Sequence, residues 1–131
     1  IWLCSPNNPT GNALDRAALL RVVKAVGCLV VVDEAYIDFA PGGTLLPELD
    51  AHPNLVVIQT FSKAWGLAGL RVGMAFGSEE LIRVLNKIKP PYNLNLLTQR
   101  HLLDALQRAS EKDRMVVELL ANREALRAGL E

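Results

Sequence analysis

Two continuous runs of apolar, mostly β-branched residues constrain the fold of this 131-residue chain more than any other feature. They are residues 28–32 (CLVVV) and 55–58 (LVVI). Neither run alternates between apolar and polar residues, so both are typical of strands covered on both faces, as in parallel sheets. Residues 1–5 indicate a shorter strand, and residues 15–26 have the apolar spacing of a helix. This strand–helix–strand order predicts an α/β fold with a mostly parallel sheet flanked by helices.

The rest of the chain adds one more strand and several helices. Residues 41–54 hold three prolines and two adjacent glycines and predict a connection with little regular structure, whereas residues 72–76 predict a fourth strand. Ser78 is placed to cap a helix that continues to about residue 88. Residues 94–131 are helical in pattern, with a break near residues 109–110. Because the chain opens within a strand and closes within a helical pattern, we expect it to be a piece of a longer protein.

Charge and cysteine content argue against several classes of partner. Fourteen basic residues balance fourteen acidic ones without any block of like charge, so nucleic acid and anionic membrane surfaces are not expected as main partners. No stretch approaches the ~20 apolar residues of a membrane span. Cys4 and Cys28 lie in apolar runs, which predicts buried, reduced thiols in a cytoplasmic protein. Neither a CxxC motif nor a Cys/His cluster occurs, so no metal site is expected.

Polar residues follow the first two predicted strands at the edge where open α/β sheets bind ligands. Asn8 stands in the turn sequence NPTG, where an amide can present a donor to a ligand oxygen, although an ordinary structural turn explains it equally well. Asp33 directly follows three valines, where a carboxylate needs a donor or a cation as partner. That partner could belong to a salt bridge or a helix cap, or it could be a protonated ligand nitrogen. Tyr36 adds a phenol close by.

A second group of polar residues follows the third strand. Lys63 comes shortly after a buried strand, which predicts a partly desolvated and nucleophilic amine. The hydroxyls of Thr60 and Ser62 are short donors that suit a phosphate. Arg71 follows a glycine-containing loop and offers a planar fork for phosphate oxygens, although a lone arginine is more often a surface residue. The two groups together predict a lysine nucleophile, a carboxylate for a cation and a basic phosphate clamp.

Three segments together, SPNNPTG, DEAYIDF and TFSKAWGLAGLRVG, resemble the class I and II aminotransferases that depend on pyridoxal phosphate. The similarity is greatest to the histidinol-phosphate aminotransferase family and extends through NKIKPPYNLN, to about residue 99. The resemblance implies an α/β/α sandwich belonging to the large domain of the type I pyridoxal-phosphate fold. Residues 1–131 would form a partial cofactor-binding domain, and residues 94–131 would lead toward a small domain outside this chain.

The resemblance also assigns roles residue by residue. Lys63 would bond covalently to the cofactor and later move a proton, while Asp33 would pair with the pyridine nitrogen. Asn8 and Tyr36 would hydrogen-bond the phenolic oxygen of the ring. The phosphate would be held by Thr60, Ser62 and Arg71. Tyr92 and Asn95 are candidates for contacts with the substrate.

The reaction implied is amino transfer from histidinol phosphate to 2-oxoglutarate, a step of histidine biosynthesis, by a homodimer in the full-length protein. A chain of this length alone is expected to be inactive. Threonine-phosphate decarboxylases and aromatic-amino-acid aminotransferases are alternatives with the same fold. An alternative of another class is a serine hydrolase with Ser62 as nucleophile and Lys63 as base. Adjacent residues on an extended chain point to opposite faces, and no GxSxG motif occurs, so the hydrolase is disfavoured.

Overall fold

The computed structural model describes residues 1–130 and contains one four-stranded sheet in those residues. The strands are β1 (Trp2–Cys4), β2 (Val30–Asp33), β3 (Leu55–Thr60) and β4 (Gly73–Gly77). They lie in the order β1-β2-β3-β4, with β1, β2 and β3 parallel and β4 antiparallel to β3. The predicted α/β fold with a mostly parallel sheet is therefore confirmed.

Helix α1 (Arg16–Ala25) covers one face of the sheet. It begins where the Asp15 carboxylate accepts a hydrogen bond from the backbone N–H of Ala18, a typical N-cap. Its apolar stripe, which includes Leu19 and Val23, packs against alternate residues of β2 and β3. The strand residues in this core cluster are Val30, Val32, Leu55 and Val57. This packing fixes the centre of the sheet and therefore the position of the strand ends.

The remaining helices follow β4. Helix α2 (Glu79–Ile88) is capped by Ser78 as predicted, α3 covers Leu96–Gln107, and α4 covers Ala109–Leu130. A second apolar cluster joins α3 to the chain around β4, with Phe61, Val72 and Leu102 at its centre. No helix within residues 1–130 is both long enough and apolar enough to cross a membrane.

Several predicted details differ from the structure. The connection 41–54 contains a 3-10 helix at Leu46–Ala51, and the break between the last helices falls at Arg108. Strand β2 begins at Val30, so Cys28 lies before the strand and is exposed, whereas Cys4 is only partly buried. The prediction that both cysteines are buried is therefore wrong. The apolar run predicted too early a start for β2, because Cys28 and Leu29 belong to the connection between α1 and this strand.

Candidate active site

Five of the predicted site residues line one cavity of about 310 Å³ at the edge where β2 and β3 end. They are Asp33, Thr60, Ser62, Lys63 and Arg71. Asp33 and Thr60 are the last residues of β2 and β3, and these strands are parallel neighbours. Their carboxyl ends therefore meet at the same edge of the sheet, which is where open α/β sheets bind ligands.

Asp33 presents a carboxylate to this cavity. One of its oxygens, Oδ1, accepts a hydrogen bond from the backbone N–H of Ala35 at 3.0 Å. Within residues 1–130, no lysine, arginine or histidine nitrogen lies within 4 Å of the Asp33 carboxylate. The predicted donor partner is thus a backbone N–H, which leaves carboxylate lone pairs available for a cationic ligand group.

Lys63 lies beside Tyr36, with its Nζ atom 5.1 Å from the centre of the phenol ring. Asn8 approaches the same ring from the first loop, because its Nδ2 donates to the Tyr36 hydroxyl at 3.5 Å. Asn8 and Tyr36 also line a larger neighbouring cavity of about 570 Å³, bounded on its far side by α4. Tyr36 therefore connects the lysine cavity to the larger one.

Lys63 is exposed, so the predicted partial desolvation is wrong for this chain. The physical reason is that β3 ends at Thr60 and the lysine lies in the loop beyond it, outside the buried part of the sheet. The structure places the Lys63 side chain in the lining of the cavity, but it does not bury the amine.

The two hydroxyl residues hold the turn that leads to the lysine. Thr60 Oγ1 donates to the backbone oxygen of Val72 at 3.3 Å and accepts from the backbone N–H of Ser62 at 3.1 Å. These bonds join the end of β3 to the segment that enters β4. The Ser62 hydroxyl lies in the cavity lining, where it can bind an anion.

Arg71 reaches the cavity because β4 runs antiparallel to β3. The residue that starts an antiparallel strand lies next to the end of its neighbour, and Thr60 indeed pairs with Gly73. Arg71 itself adopts a left-handed backbone conformation, with φ of 56°. This conformation is uncommon for residues other than glycine, and such strain is frequent at functional sites.

Tyr92 and Asn95 lie apart from both cavities. Tyr92 is 97% exposed, and Asn95 caps α3 by accepting a hydrogen bond from the backbone N–H of Thr98 at 2.9 Å. Their suggested contact with a substrate therefore remains a prediction.

The cavity combines two cationic side chains, Lys63 and Arg71, with one carboxylate, Asp33. This balance favours a ligand that carries more negative than positive charge, with a cationic group for the carboxylate. Among residues 1–130, no group of three or more His, Cys, Asp or Glu side chains could share a metal ion. No hydrogen bond joins Ser62 to Lys63 in this part of the chain, so the pair lacks the contact that a serine nucleophile needs from its base.

Other residues at the site escaped prediction. Ala35, Ile58 and Gln59 also line the cavity, and only Gln59 carried a signal, as a polar residue in an otherwise apolar strand. Lys112 contacts the segments that hold Tyr36 and Lys63, because its Nζ lies 2.8 Å from Asp38 and 5.4 Å from the centre of the Trp65 ring. No local pattern indicates this contact, since Lys112 is distant in sequence from both segments.

Comparison with known proteins adds an independent line of argument. The family model described as aminotransferase class I and II matches residues 1–131. The chain is 58% identical over 130 residues to histidinol-phosphate aminotransferase from Cytophaga hutchinsonii, covering 99% of this chain and 37% of that protein. The chain therefore spans little more than a third of the length of this relative.

Solved structures show the same similarity in three dimensions. Histidinol-phosphate aminotransferase from Sinorhizobium meliloti, in complex with pyridoxal-5'-phosphate, superposes with a TM-score of 0.86 at 26% identity, over 95% of this chain and 35% of that one. L-threonine-O-3-phosphate decarboxylase from Porphyromonas gingivalis superposes with a TM-score of 0.68 at 30% identity, over 74% of this chain and 30% of that one.

Proposed function

The chain belongs to the class I and II aminotransferase family, and from this premise we propose that it is the central part of a pyridoxal-phosphate-dependent histidinol-phosphate aminotransferase. The observation that carries the proposal is the cavity in which a lysine amine and an arginine lie together with a carboxylate that has no cationic partner among the described residues. The 58% identity to the Cytophaga hutchinsonii enzyme supports the choice of subfamily.

The donor set of the cavity fits pyridoxal phosphate. The cofactor carries an aldehyde for Lys63, a ring nitrogen that can be protonated opposite Asp33, and a phosphate for Arg71. Donors from the Ser62 hydroxyl and the Asn8 amide would complete its polar contacts, while Thr60, whose hydroxyl donates to the backbone oxygen of Val72, would hold the turn that carries Ser62. A volume of about 310 Å³ is at the lower end of the range for small-molecule sites.

Each side chain has a distinct task in this proposal. Lys63 would hold the cofactor through its amine, and the same amine would serve as the general base and acid that moves a proton from and back to the substrate carbon. Asp33 holds a positive charge on the ring nitrogen. Tyr36 keeps the lysine side chain in place from one side, as its 5.1 Å contact indicates. When bound, the cofactor supplies an electron sink that stabilises negative charge on the substrate carbon.

The proposed substrates are histidinol phosphate and 2-oxoglutarate, in histidine biosynthesis. A second candidate is decarboxylation of threonine phosphate, favoured by the 30% identity to the Porphyromonas gingivalis decarboxylase structure. Both substrates are amino-phosphates, so the two activities differ at the reacting carbon. An assay of the longer protein for amino transfer and for carbon dioxide release separates them, and carbon dioxide release from threonine phosphate without amino transfer would reject the aminotransferase.

The proposal extends to the arrangement of the whole protein. Residues 1–131 would be a partial large domain, with residues 94–131 leading toward a small domain. The complete protein would work as a homodimer in the cytoplasm, and this chain alone would be inactive. Measurable turnover by the 131-residue chain would contradict this last point.

The test of the cofactor site is selective labelling of Lys63. The chain is mixed with pyridoxal phosphate, and borohydride then makes any bond between the aldehyde and a lysine amine permanent. Peptide mass spectrometry locates the label. We expect Lys63 to be labelled well ahead of Lys87, an exposed lysine on α2 that serves as the internal control.

Two comparisons sharpen this experiment. Pyridoxal without phosphate should lose most of the selectivity for Lys63, because it cannot use Arg71. The Lys63→Ala variant should lose the selective label and retain the slow background at the other lysines. Labelling of Lys63 no faster than Lys87, or selective labelling of a different lysine, would reject the assignment.

A further inference from the structure

A buried carboxylate, Glu34, stands next to Asp33 and has no role in the chemistry described above. Its side chain belongs to a residue that is only 2% exposed. Its backbone N–H donates to the oxygen of Ile58 at 2.8 Å, so Glu34 continues the hydrogen bonding between β2 and β3. Because successive residues of a strand point to opposite faces, Glu34 faces away from the cavity that Asp33 enters.

Three donors surround this carboxylate. Oε2 accepts from the hydroxyl of Thr44 at 2.5 Å and from Nε2 of Gln59 at 2.9 Å, and Oε1 accepts from the backbone N–H of Leu45 at 2.7 Å. Within residues 1–130, no cationic nitrogen lies within 4 Å of Glu34. Neutral donors alone therefore compensate for the water that this group loses on burial, and each bond counts because an unsatisfied buried carboxylate is costly.

The partners of Glu34 connect the two strand ends that build the site. Gln59 immediately precedes Thr60 at the end of β3, and Glu34 immediately follows Asp33 at the end of β2. Gln59 Nε2 also donates to Thr44 Oγ1 at 3.2 Å, so the connection between the strands is included in the same network. A displacement of the amide from the carboxylate would therefore move the two strand ends relative to each other.

We propose that Glu34 is a positioning residue that holds Asp33 in place relative to the Thr60–Lys63 turn, through its hydrogen bonds behind the sheet. The hydrogen-bonded network positions these groups whatever they bind, and the use of that position for catalysis rests on the proposed function. Glu34 itself is not among the residues that line the cavity of Asp33 and Lys63.

The decisive comparison uses an exchange of partners. In Glu34→Gln, the donors of Thr44 and Gln59 lose their charged acceptor, so both charge-assisted hydrogen bonds are weakened. In the double variant Glu34→Gln with Gln59→Glu, an amide and a carboxylate again face each other. Gln59→Met removes one donor without changing the carboxylate, and it provides a second, milder test if Glu34→Gln does not fold.

The first readout is hydrogen–deuterium exchange, which needs no cofactor. The backbone N–H of Ala35 donates to the Asp33 carboxylate, and the backbone N–H of Ser62 donates to the Thr60 hydroxyl. Their exchange rates therefore report on the ends of β2 and β3. We expect their exchange to be about tenfold faster in the single variants, the scale of one lost hydrogen bond to a charged group. Exchange at Val57 in the centre of the sheet should be nearly unchanged, and the double variant should restore slow exchange.

The second readout is the selectivity of pyridoxal-phosphate labelling for Lys63 in the folded variants. We expect it to fall in Glu34→Gln and to recover in the double variant. Unchanged exchange at Ala35 and Ser62, or acceleration spread equally to Val57, would overturn the positioning role. If the wild-type chain itself shows no selective label at Lys63, the proposed function fails, while the exchange result still decides the role of Glu34.

Discussion

Replacing Lys112 with methionine tests how α4 is attached to the site segments. The ammonium of Lys112 lies 2.8 Å from the Asp38 carboxylate, 2.7 Å from the Asp113 carboxylate and 5.4 Å from the centre of the Trp65 ring. Asp38 is two residues beyond Tyr36, and Trp65 is two residues beyond Lys63. Methionine keeps most of the apolar stem and removes the charge together with its N–H donors.

The expected loss follows from the exposure of each partner. The side chains of Lys112 and Asp38 are 17% and 24% exposed, so their hydrogen-bonded ion pair is largely shielded and contributes about 1.5 kcal/mol. Asp113 is 67% exposed, and its pair with Lys112 contributes little. The contact with the Trp65 ring adds about 0.5 kcal/mol. We therefore expect Lys112→Met to lower the free energy of unfolding by about 2 kcal/mol.

The effect should also depend on pH in a defined direction. Burial lowers the pKa of Lys112, but its hydrogen bonds to Asp113 and Asp38 and their negative charges outweigh burial, so the pKa is raised above its ordinary value of 10.5. A group whose pKa is higher in the folded state stabilises that state fully below the unfolded pKa, and the contribution disappears as pH rises through the folded pKa. The difference between wild type and variant should therefore be constant at neutral pH and shrink above the ordinary value.

Urea unfolding monitored by circular dichroism, from about pH 8 to about pH 12, measures this difference. Lys89→Met, at an exposed lysine that follows α2, is the matched control and should change stability by less than about 0.5 kcal/mol at every pH. A Lys112 effect no larger than the control, or one that persists unchanged above the raised pKa, would refute this reasoning.

Two further substitutions test the backbone at Arg71 and the core. Arg71→Gly should be more stable than Arg71→Ala by about 1 kcal/mol in urea unfolding, because glycine adopts φ of 56° without the steric cost of a Cβ atom. Equal stability of the Arg71→Gly and Arg71→Ala variants would contradict the proposed backbone strain at residue 71. Leu55→Ala should lose about 3 kcal/mol, because Leu55 is fully buried between α1 and the sheet and leaves a cavity. A loss under about 1 kcal/mol would mean that the core collapses around the smaller side chain.

The central strands could be predicted because both of their faces are covered. Burial on two faces selects a continuous apolar run, which is visible without knowledge of any partner, and it located β2 and β3 to within two residues. The direction of β4 was not predicted. The connection that precedes it, residues 61–72, holds only a short 3-10 helix, Ala68–Leu70. A parallel connection usually contains an α-helix, and the glycine-containing loop of residues 61–72 has no helical pattern, so the sequence already favoured an antiparallel strand.

The site was predictable where its residues adjoin a strand end. Asp33 and Thr60 are brought together by parallel pairing, which the apolar runs indicate. The contact between Lys112 and Asp38 joins residues in distant elements, and neither residue lies in a pattern that points to the other. The exposure of Lys63 was also not predictable, because it depends on where the hydrogen bonding of β3 to its neighbours ends, three residues before the lysine.

The antiparallel pairing of β3 with β4 also has an entropic consequence. Pairing β1 with β2 closes a connection of residues 5–29, and pairing β2 with β3 closes residues 34–54. Pairing β3 with β4 closes only residues 61–72, the loop that contains both Lys63 and Arg71. Since the entropy lost on closing a loop grows with its length, the amine and the guanidinium are brought together at the lowest cost in chain entropy of the three strand pairings.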